Sequence, residues 1–268
     1  LLDQAGRGVL DLPFAQTPFS ALIIATGGQA ARPLPGALTI DEIRRVDLAP
    51  RIKELLGRER LRIAIGGGGA TGLQFLFELA DFFSGMRKKV ELFLLDPGER
   101  LLSAFPGDFH DYVVQKIKKY RISYERMSLD SYLIEGEKVD LAFSFAGVRE
   151  TLPLAVSPTG QLAGGPVFAA GDTARYPQGM DAFDAQAAVR KARLVADNVV
   201  AMQAGQPLKD YNYRSLGAFV SLGFWDGLGW IFGENRLVSG LPAFALKETI
   251  EAQFLLYLAG LDTYIKVS

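Results

Sequence analysis

Residues 67–72 read Gly-Gly-Gly-Ala-Thr-Gly, a G-x-G-x-x-G spacing set between an apolar run at 61–65 and a helix-forming run at 70–83. In that setting each glycine has a physical job. Gly67 permits a sharp turn out of a strand. Gly69 removes a side chain so that backbone N–H groups can approach a pyrophosphate, and Gly72 lets the helix pack closely on the strand. A helix N-terminus then faces the two negative charges. Asp96 ends the next apolar run, 24 residues past Gly72. A carboxylate there can accept hydrogen bonds from both ribose hydroxyls of an adenosine and repels a 2′-phosphate, which favours NADH over NADPH. Arg100, close by, leaves NADPH open. The bland alternative is a glycine-rich strand–helix corner with no ligand.

Other chemistry is sparse. The chain has no cysteine and one histidine, His110. Disulfide scaffolds, Cys-ligated metals and thiol redox catalysis are excluded, and no metal site is expected. His110 reads as a solvated helix residue. A net charge of −1 makes nucleic acid an improbable partner. Hydrophobic content of 49% and charged content of 22% over 268 residues fit one large or two smaller globular domains. The opening residues lack the basic start and apolar core of a signal peptide.

The elements that must hold these residues follow from periodicity. Residues 19–28 enter Gly27-Gly28 as a strand, and 39–57 carry helical spacing from a cap at Thr39 to Gly57. Strands at 61–65 and 89–96 alternate with helices at 70–83 and 107–120, and short strands follow to 147. Such alternation predicts an α/β domain with a doubly wound parallel sheet. Residues 165–172 form another strand ending in Gly171-Asp172, and 181–205 a long helix closed by glycine. The tail, 208–268, is aromatic, glycine-punctuated and apolar.

Taken together the chain resembles type II NADH dehydrogenase, the single-subunit NADH:quinone oxidoreductase of the pyridine nucleotide-disulfide oxidoreductase superfamily. The resembling segments are "LIIATGGQA" (22–30), "GGGATGLQFLFELADF" (67–82), "FSFAGVR" (143–149), "VFAAGDTA" (167–174), "DAQAAVRKARLVADNV" (184–199) and "YRSLGAFVSLG" (213–223), in family order. The resemblance implies a two-dinucleotide flavoprotein that carries FAD and NADH, with a Rossmann-like NADH domain inserted in a partial FAD domain and a C-terminal helical tail. The division it implies is 1–57 for the first part of the FAD domain, 58–147 for the NADH domain, 148–207 for the rest of the FAD domain and 208–268 for a membrane-association or dimerisation region. The first dinucleotide motif, for FAD, should then lie upstream of residue 1.

The same resemblance implies roles for further residues. Thr26 and Gly27 close the strand that crosses toward the NADH domain. Gly171 and Asp172 contact the ribityl and phosphate region of the flavin, although Gly-Asp is also ordinary turn chemistry. Gly147 joins the cofactor-binding set. The family motif Ala-Gln-x-Ala-x-Gln, where flavin meets quinone, reads Ala185-Gln186-Ala187-Ala188-Val189-Arg190 here, so Gln186 fits and Arg190 replaces a glutamine. Gln74 stands where the family usually has a glutamate beside the nicotinamide. Gln186, Arg190 and Gln74 are the candidate catalytic positions.

Residues 241–260 are interrupted by Lys247, Glu248 and Glu251, which rules against a spanning helix. An amphipathic helix in a membrane interface would give peripheral attachment at the cytoplasmic face. A homodimer interface burying the same face is the alternative, and Phe224, Trp225, Trp230 and Phe232 read equally as core or as a membrane belt. The functional expectation is a flavin-dependent NADH oxidoreductase with a quinone as electron acceptor. Its rivals are a soluble NAD(P)H flavin reductase serving an iron–sulfur protein and a non-catalytic NAD-binding fragment without flavin.

Overall fold

The computed structural model describes residues 8–12, 15–32, 34–86, 89–150, 152–163, 165–177, 184–213, 215–233 and 236–261. The chain divides into two compact units, Leu1–Gln29 with Val148–Ser215 and Ala30–Gly147 with Leu216–Ser268.

The second unit is built on a five-stranded sheet in the order Leu38–Thr39, Leu141–Ser144, Arg60–Gly66, Lys89–Leu95, Ser123–Glu125, every neighbouring pair parallel. The central strand reads as an almost unbroken apolar run because both its faces are covered, as parallel sheets require. Its exceptions are Arg60 at the strand's start and Arg62, which is 3% exposed, with its guanidinium 4.8 Å from the Phe93 ring centroid and its Nη2 donating to Ile134 O. The helix Ala70–Ser84 buries Leu73, Leu76, Phe77, Ala80 and Phe83 against the sheet. Helix Gly107–Tyr120 buries Phe109, Val113 and Ile117, with Asp108 in its first turn and Lys118 and Lys119 in its last, as the helix dipole prefers.

Three expectations change in this unit. The spacing across 39–57 suggested one helix, but the chain forms two short ones, Ile40–Ile43 and Ala49–Leu55, with Pro50 in the first turn of the second. Proline is accepted there and nowhere further in. The domain boundary also moves. Residues 30–57 belong with the sheet because Leu38–Thr39 pairs with Phe143–Ser144. The tail from Leu216 belongs there too, as a three-stranded antiparallel sheet, Gly217–Ser221, Gly227–Ile231 and Leu237–Ser239, followed by the helix Leu241–Leu258. That helix is not amphipathic: apolar residues surround it, and only Ala243 is buried.

In the first unit, Leu22–Ile24 pairs in parallel with Val167–Ala169, and Leu154–Ala155 with Ala174–Arg175. Gly8–Leu12 and Ala15–Phe19 form a hairpin. The helix Ala185–Gln203 starts at Asp184, whose carboxylate accepts the Ala187 N–H at 2.6 Å. Its buried face meets a cluster that includes Ala169, Ala174, Tyr176, Tyr211 and Tyr213.

Candidate dinucleotide site

Strand Arg60–Gly66 and its neighbours Lys89–Leu95 and Leu141–Ser144 end at one edge of the parallel sheet. The chain continues from the central strand outward in one direction along the sheet and returns on its other side. Ligands of open α/β sheets bind at such a switch point, outside the carboxyl ends of the strands. The loops after these three strands hold Gly67–Gly69, Asp96 and Gly147.

The glycine turn divides its labour as its spacing demands. Gly67 has φ +112°, and a Cβ there would lie 2.3 Å from Phe145 O. Its N–H donates to Leu95 O at 2.8 Å, so the turn is sewn to the next strand. Gly72 packs its backbone against Gly67: a Cβ would lie 2.0 Å from Gly67 O. Gly69 caps the helix Ala70–Ser84, and a Cβ built on it meets no atom within 4 Å. The first N–H groups of that helix have no partner within the helix. An open space bounded by a side-chain-free residue and unpaired N–H donors suits a pyrophosphate.

Asp96 does more than the sequence suggests. Its Oδ2 accepts the Gly68 N–H at 2.6 Å and its Oδ1 the Gly98 N–H at 2.8 Å. Gly68 is itself pressed close, since a Cβ there would lie 2.3 Å from Leu101 Cδ2. His110 supports the same loop: its Nδ1 accepts the Leu101 N–H at 3.0 Å, so it is half-buried and engaged rather than a solvated surface residue. Arg100 donates through Nη2 to Ser103 O at 2.8 Å. Gln74, one turn into the helix, donates through Nε2 to Glu78 Oε1 at 3.2 Å, so a carboxylate stands one turn beyond the position where the resemblance expects one. Gly147 has φ +94°, and its carbonyl accepts the Ala31 N–H at 2.9 Å.

Residues 14–129 match the family described as pyridine nucleotide-disulphide oxidoreductase. The chain is also 25% identical over 242 residues to a type II NADH:quinone oxidoreductase of Staphylococcus epidermidis, covering 77% of this chain and 60% of that protein. It is 29% identical over 227 residues to the Haemophilus influenzae protein of the same name, covering 69% and 50%. It spans 50–60% of the length of these curated relatives. The fold matches that of NDH2 from Plasmodium falciparum, solved in complex with NADH, with a TM-score of 0.70 at 14% identity, over 92% of this chain and 77% of that one. A ferredoxin reductase of Rhodopseudomonas palustris matches with a TM-score of 0.62 at 17% identity, over 86% and 62%. The α/β architecture with its parallel sheet is the one shared with these two solved structures.

The remaining candidate residues, Thr26, Gly27, Gly171, Asp172, Gln186 and Arg190, all lie in the first unit. Thr173 draws four of them together. Its Oγ1 lies 3.1 Å from Thr26 Oγ1 and accepts the Gly27 N–H at 3.0 Å, joining the ends of the two parallel strands. Thr173 ends the 3₁₀ turn Gly171–Thr173, in which Gly171 takes φ +67° with open space where a Cβ would stand. Lys191, 1% exposed, donates from the long helix to Ala174 O at 3.1 Å and Gly171 O at 3.4 Å. Arg190 lies over the ring of Tyr213 at 5.3 Å, and the Tyr213 hydroxyl donates to Asp184 Oδ2 at 3.3 Å. Burial raises the Tyr213 phenol above its ordinary value, with the Asp184 carboxylate adding to the effect.

Thr173 and Lys191 escaped the sequence reading. Thr173 follows Gly171-Asp172 directly and could have been suspected from that position. Lys191 gave no signal, because a lysine on a helix usually reads as solvated.

Proposed function

We propose that this chain forms part of a flavin-dependent NADH oxidoreductase that passes electrons from NADH through FAD to a quinone. The observation that carries the reading is the turn at Gly67–Gly72. Gly69 leaves open space at the start of a 15-residue helix, and Asp96 closes the next parallel strand beside it. The names of the curated relatives support quinone as the acceptor.

The residues present fit both nucleotides. Gly69 and the first helical N–H groups would hold the NADH pyrophosphate, and Asp96 would receive the adenosine ribose hydroxyls. Gly171 presents a backbone free of side-chain crowding, and Asp172 beside it would take a ribityl hydroxyl. FAD, when bound, supplies hydride acceptance from NADH and electron delivery to the quinone. The protein's own part is to bind and orient. Thr173 and Lys191 fix the turn that carries Asp172. Gln186 and Arg190, on the first two turns of the helix Ala185–Gln203, would meet the acceptor, Arg190 as a cation held against Tyr213. Gln74 would lie on the nicotinamide side with Glu78 behind it.

Among the described residues no helix is long and apolar enough to cross a membrane. Peripheral membrane attachment, which we place at the cytoplasmic face, draws its support from the apolar residues the tail leaves exposed, among them Trp225 at 70%, Leu255 at 65% and Leu258 at 64%. Those residues also disfavour a soluble reductase for an iron–sulfur protein. The deciding experiment uses the full-length protein reconstituted with FAD. Rapid bleaching of the flavin by NADH followed by reoxidation with a short-chain quinone supports the proposal. A protein that binds no flavin, or whose reduced flavin ignores quinones, refutes it.

A further inference from the structure

The second unit holds a cavity of about 420 Å³ that the redox reading does not use. It lies among the outer face of the helix Ala70–Ser84, the turn after Ser221 and the helix Leu241–Leu258. Phe75 and Phe82 line it from the first helix, Phe224 from the turn and Phe244 from the last helix. Two exposed carboxylates also line it, Glu78 from the first helix and Glu248 from the last. No lysine or arginine lines it. The neighbouring cation on the last helix, Lys247, is paired with Glu251. Among the described residues no ion pair reaches Glu78 or Glu248.

The wall is held in place rather than left to chance. Asp81 Oδ1 accepts the Tyr120 hydroxyl at 2.6 Å and its Oδ2 accepts the Phe224 N–H at 2.5 Å. Gly223, at φ +85°, packs so closely that a Cβ would lie 2.1 Å from Asp81 Oδ2. Two residues on, Asp226 accepts the Tyr112 hydroxyl at 2.8 Å and pairs with Lys116. The turn carrying Phe224 is therefore anchored on both sides. Phe75 is packed in turn against Phe143 and Phe145.

Aromatic faces attract cations through their quadrupole, and the attraction persists at sites open to water, as here, where Phe82 and Phe224 are 50% and 66% exposed. Four phenylalanines and two carboxylates along one open groove are the chemistry of ammonium recognition. We infer that this cavity binds a small amphipathic amine, a protonated nitrogen carried on an apolar body. The nitrogen is held between Glu78 and Glu248, and the apolar body lies against the phenylalanines and Leu79. Neutral or anionic ligands of the same shape forgo the charge term or oppose it. The inference shares only Glu78 with the redox proposal, where that residue stands behind Gln74 and contacts no nucleotide.

Calorimetric titration of the full chain with cyclohexylmethylamine, cyclohexylmethanol and cyclohexanecarboxylate tests it. The amine should bind at least about tenfold more tightly than the alcohol, and the carboxylate should not bind. The double variant Glu78→Gln/Glu248→Gln should bring the amine down to the affinity of the alcohol while leaving the alcohol unchanged. Leu79→Trp, filling the cavity, should abolish both, with Phe224→Ala as the second cavity variant if the tryptophan variant does not fold. Equal binding of amine and alcohol, undiminished amine binding in the double variant, or no amine binding at all overturns the inference.

Discussion

Asp96 Oδ2 accepts the backbone N–H of Gly68 at 2.6 Å, so the carboxylate that would choose the nucleotide also holds the turn that would bind it. The second oxygen is engaged by Gly98 at 2.8 Å. Each carboxylate oxygen has two acceptor sites, so both remain able to receive a ribose hydroxyl. Binding and loop order are therefore coupled at one side chain.

Replacing that side chain should show both roles. In Asp96→Asn the amide nitrogen faces one of the two N–H donors and leaves it unsatisfied. The cost is about 1–3 kcal/mol of stability, read by chemical denaturation. NADH affinity should fall about tenfold, with NADPH affinity changing less, measured by fluorescence titration. Unchanged NADH binding would remove Asp96 from the site.

The functions of the second and third glycines of the motif separate cleanly. Gly72→Ala places a methyl group 2.0 Å from Gly67 O, which backbone cannot yield, and should destabilise by about 1–3 kcal/mol or more. Gly69→Ala meets nothing within 4 Å and should leave thermal stability nearly unchanged. Its methyl group would occupy the space proposed for the pyrophosphate, so dinucleotide affinity should drop by about tenfold or more. Equal effects of both substitutions on stability would contradict the packing.

Thr173→Val keeps the shape but removes the hydroxyl that Gly27 donates to at 3.0 Å. Loss of this hydrogen bond should cost about 0.5–1.5 kcal/mol in urea denaturation. If the turn carries Asp172 to the flavin, the reconstituted full-length protein should also lose FAD more readily on dialysis. A variant as stable as the parent, with flavin fully retained, would speak against the role.

Alkali should loosen the second unit. Burial, with the Asp226 hydrogen bond next, pushes the Tyr112 phenol up to about 12, and burial with the Asp81 hydrogen bond does the same for Tyr120. Unfolded tyrosine titrates near pH ~10. A raised native value means that the folded state holds the proton longer, so this stability is complete below pH ~10 and is lost as pH rises toward 12. Tyr112→Phe and Tyr120→Phe together should flatten that alkaline loss, seen by circular dichroism across the same range. An alkaline profile identical to the parent's would refute the assignment.

The exposed tail residues can be tested without disturbing the core. Trp225→Ser with Leu255→Ser and Leu258→Ser changes side chains that are 64–70% exposed, so the melting temperature should hold. Co-sedimentation with lipid vesicles should fall severalfold. Unchanged sedimentation would shift the tail to another role, such as contact between copies of the chain.

Much of this protein is legible in local pattern. Helix Gly107–Tyr120 coincides with its sequence-based bounds, because its apolar spacing, early acid and late lysines all agree. Strand Arg60–Gly66 declares itself through Leu61, Ile63, Ala64 and Ile65, apolar because both faces of the sheet are covered. The glycines at 67, 69 and 72 could be assigned separate tasks from spacing alone, since a turn, an open face and a close approach each require the absence of a Cβ.

What tertiary structure decided lies in contacts between residues far apart in the chain. Leu38–Thr39 is too short to announce itself as a strand, and only its pairing with Phe143–Ser144 draws residues 30–57 into the sheet unit. The tail joins the same unit through Asp81 and Phe224, 143 residues apart. Thr173, Lys191 and His110 owe their roles to backbone groups brought within reach by the fold. Periodicity records which face of an element is buried; it carries no record of the donor or acceptor that will stand opposite. The helix Leu241–Leu258 shows the other side of that rule, for its apolar residues run all the way round and only packing settles that Ala243 is the one buried among the described residues.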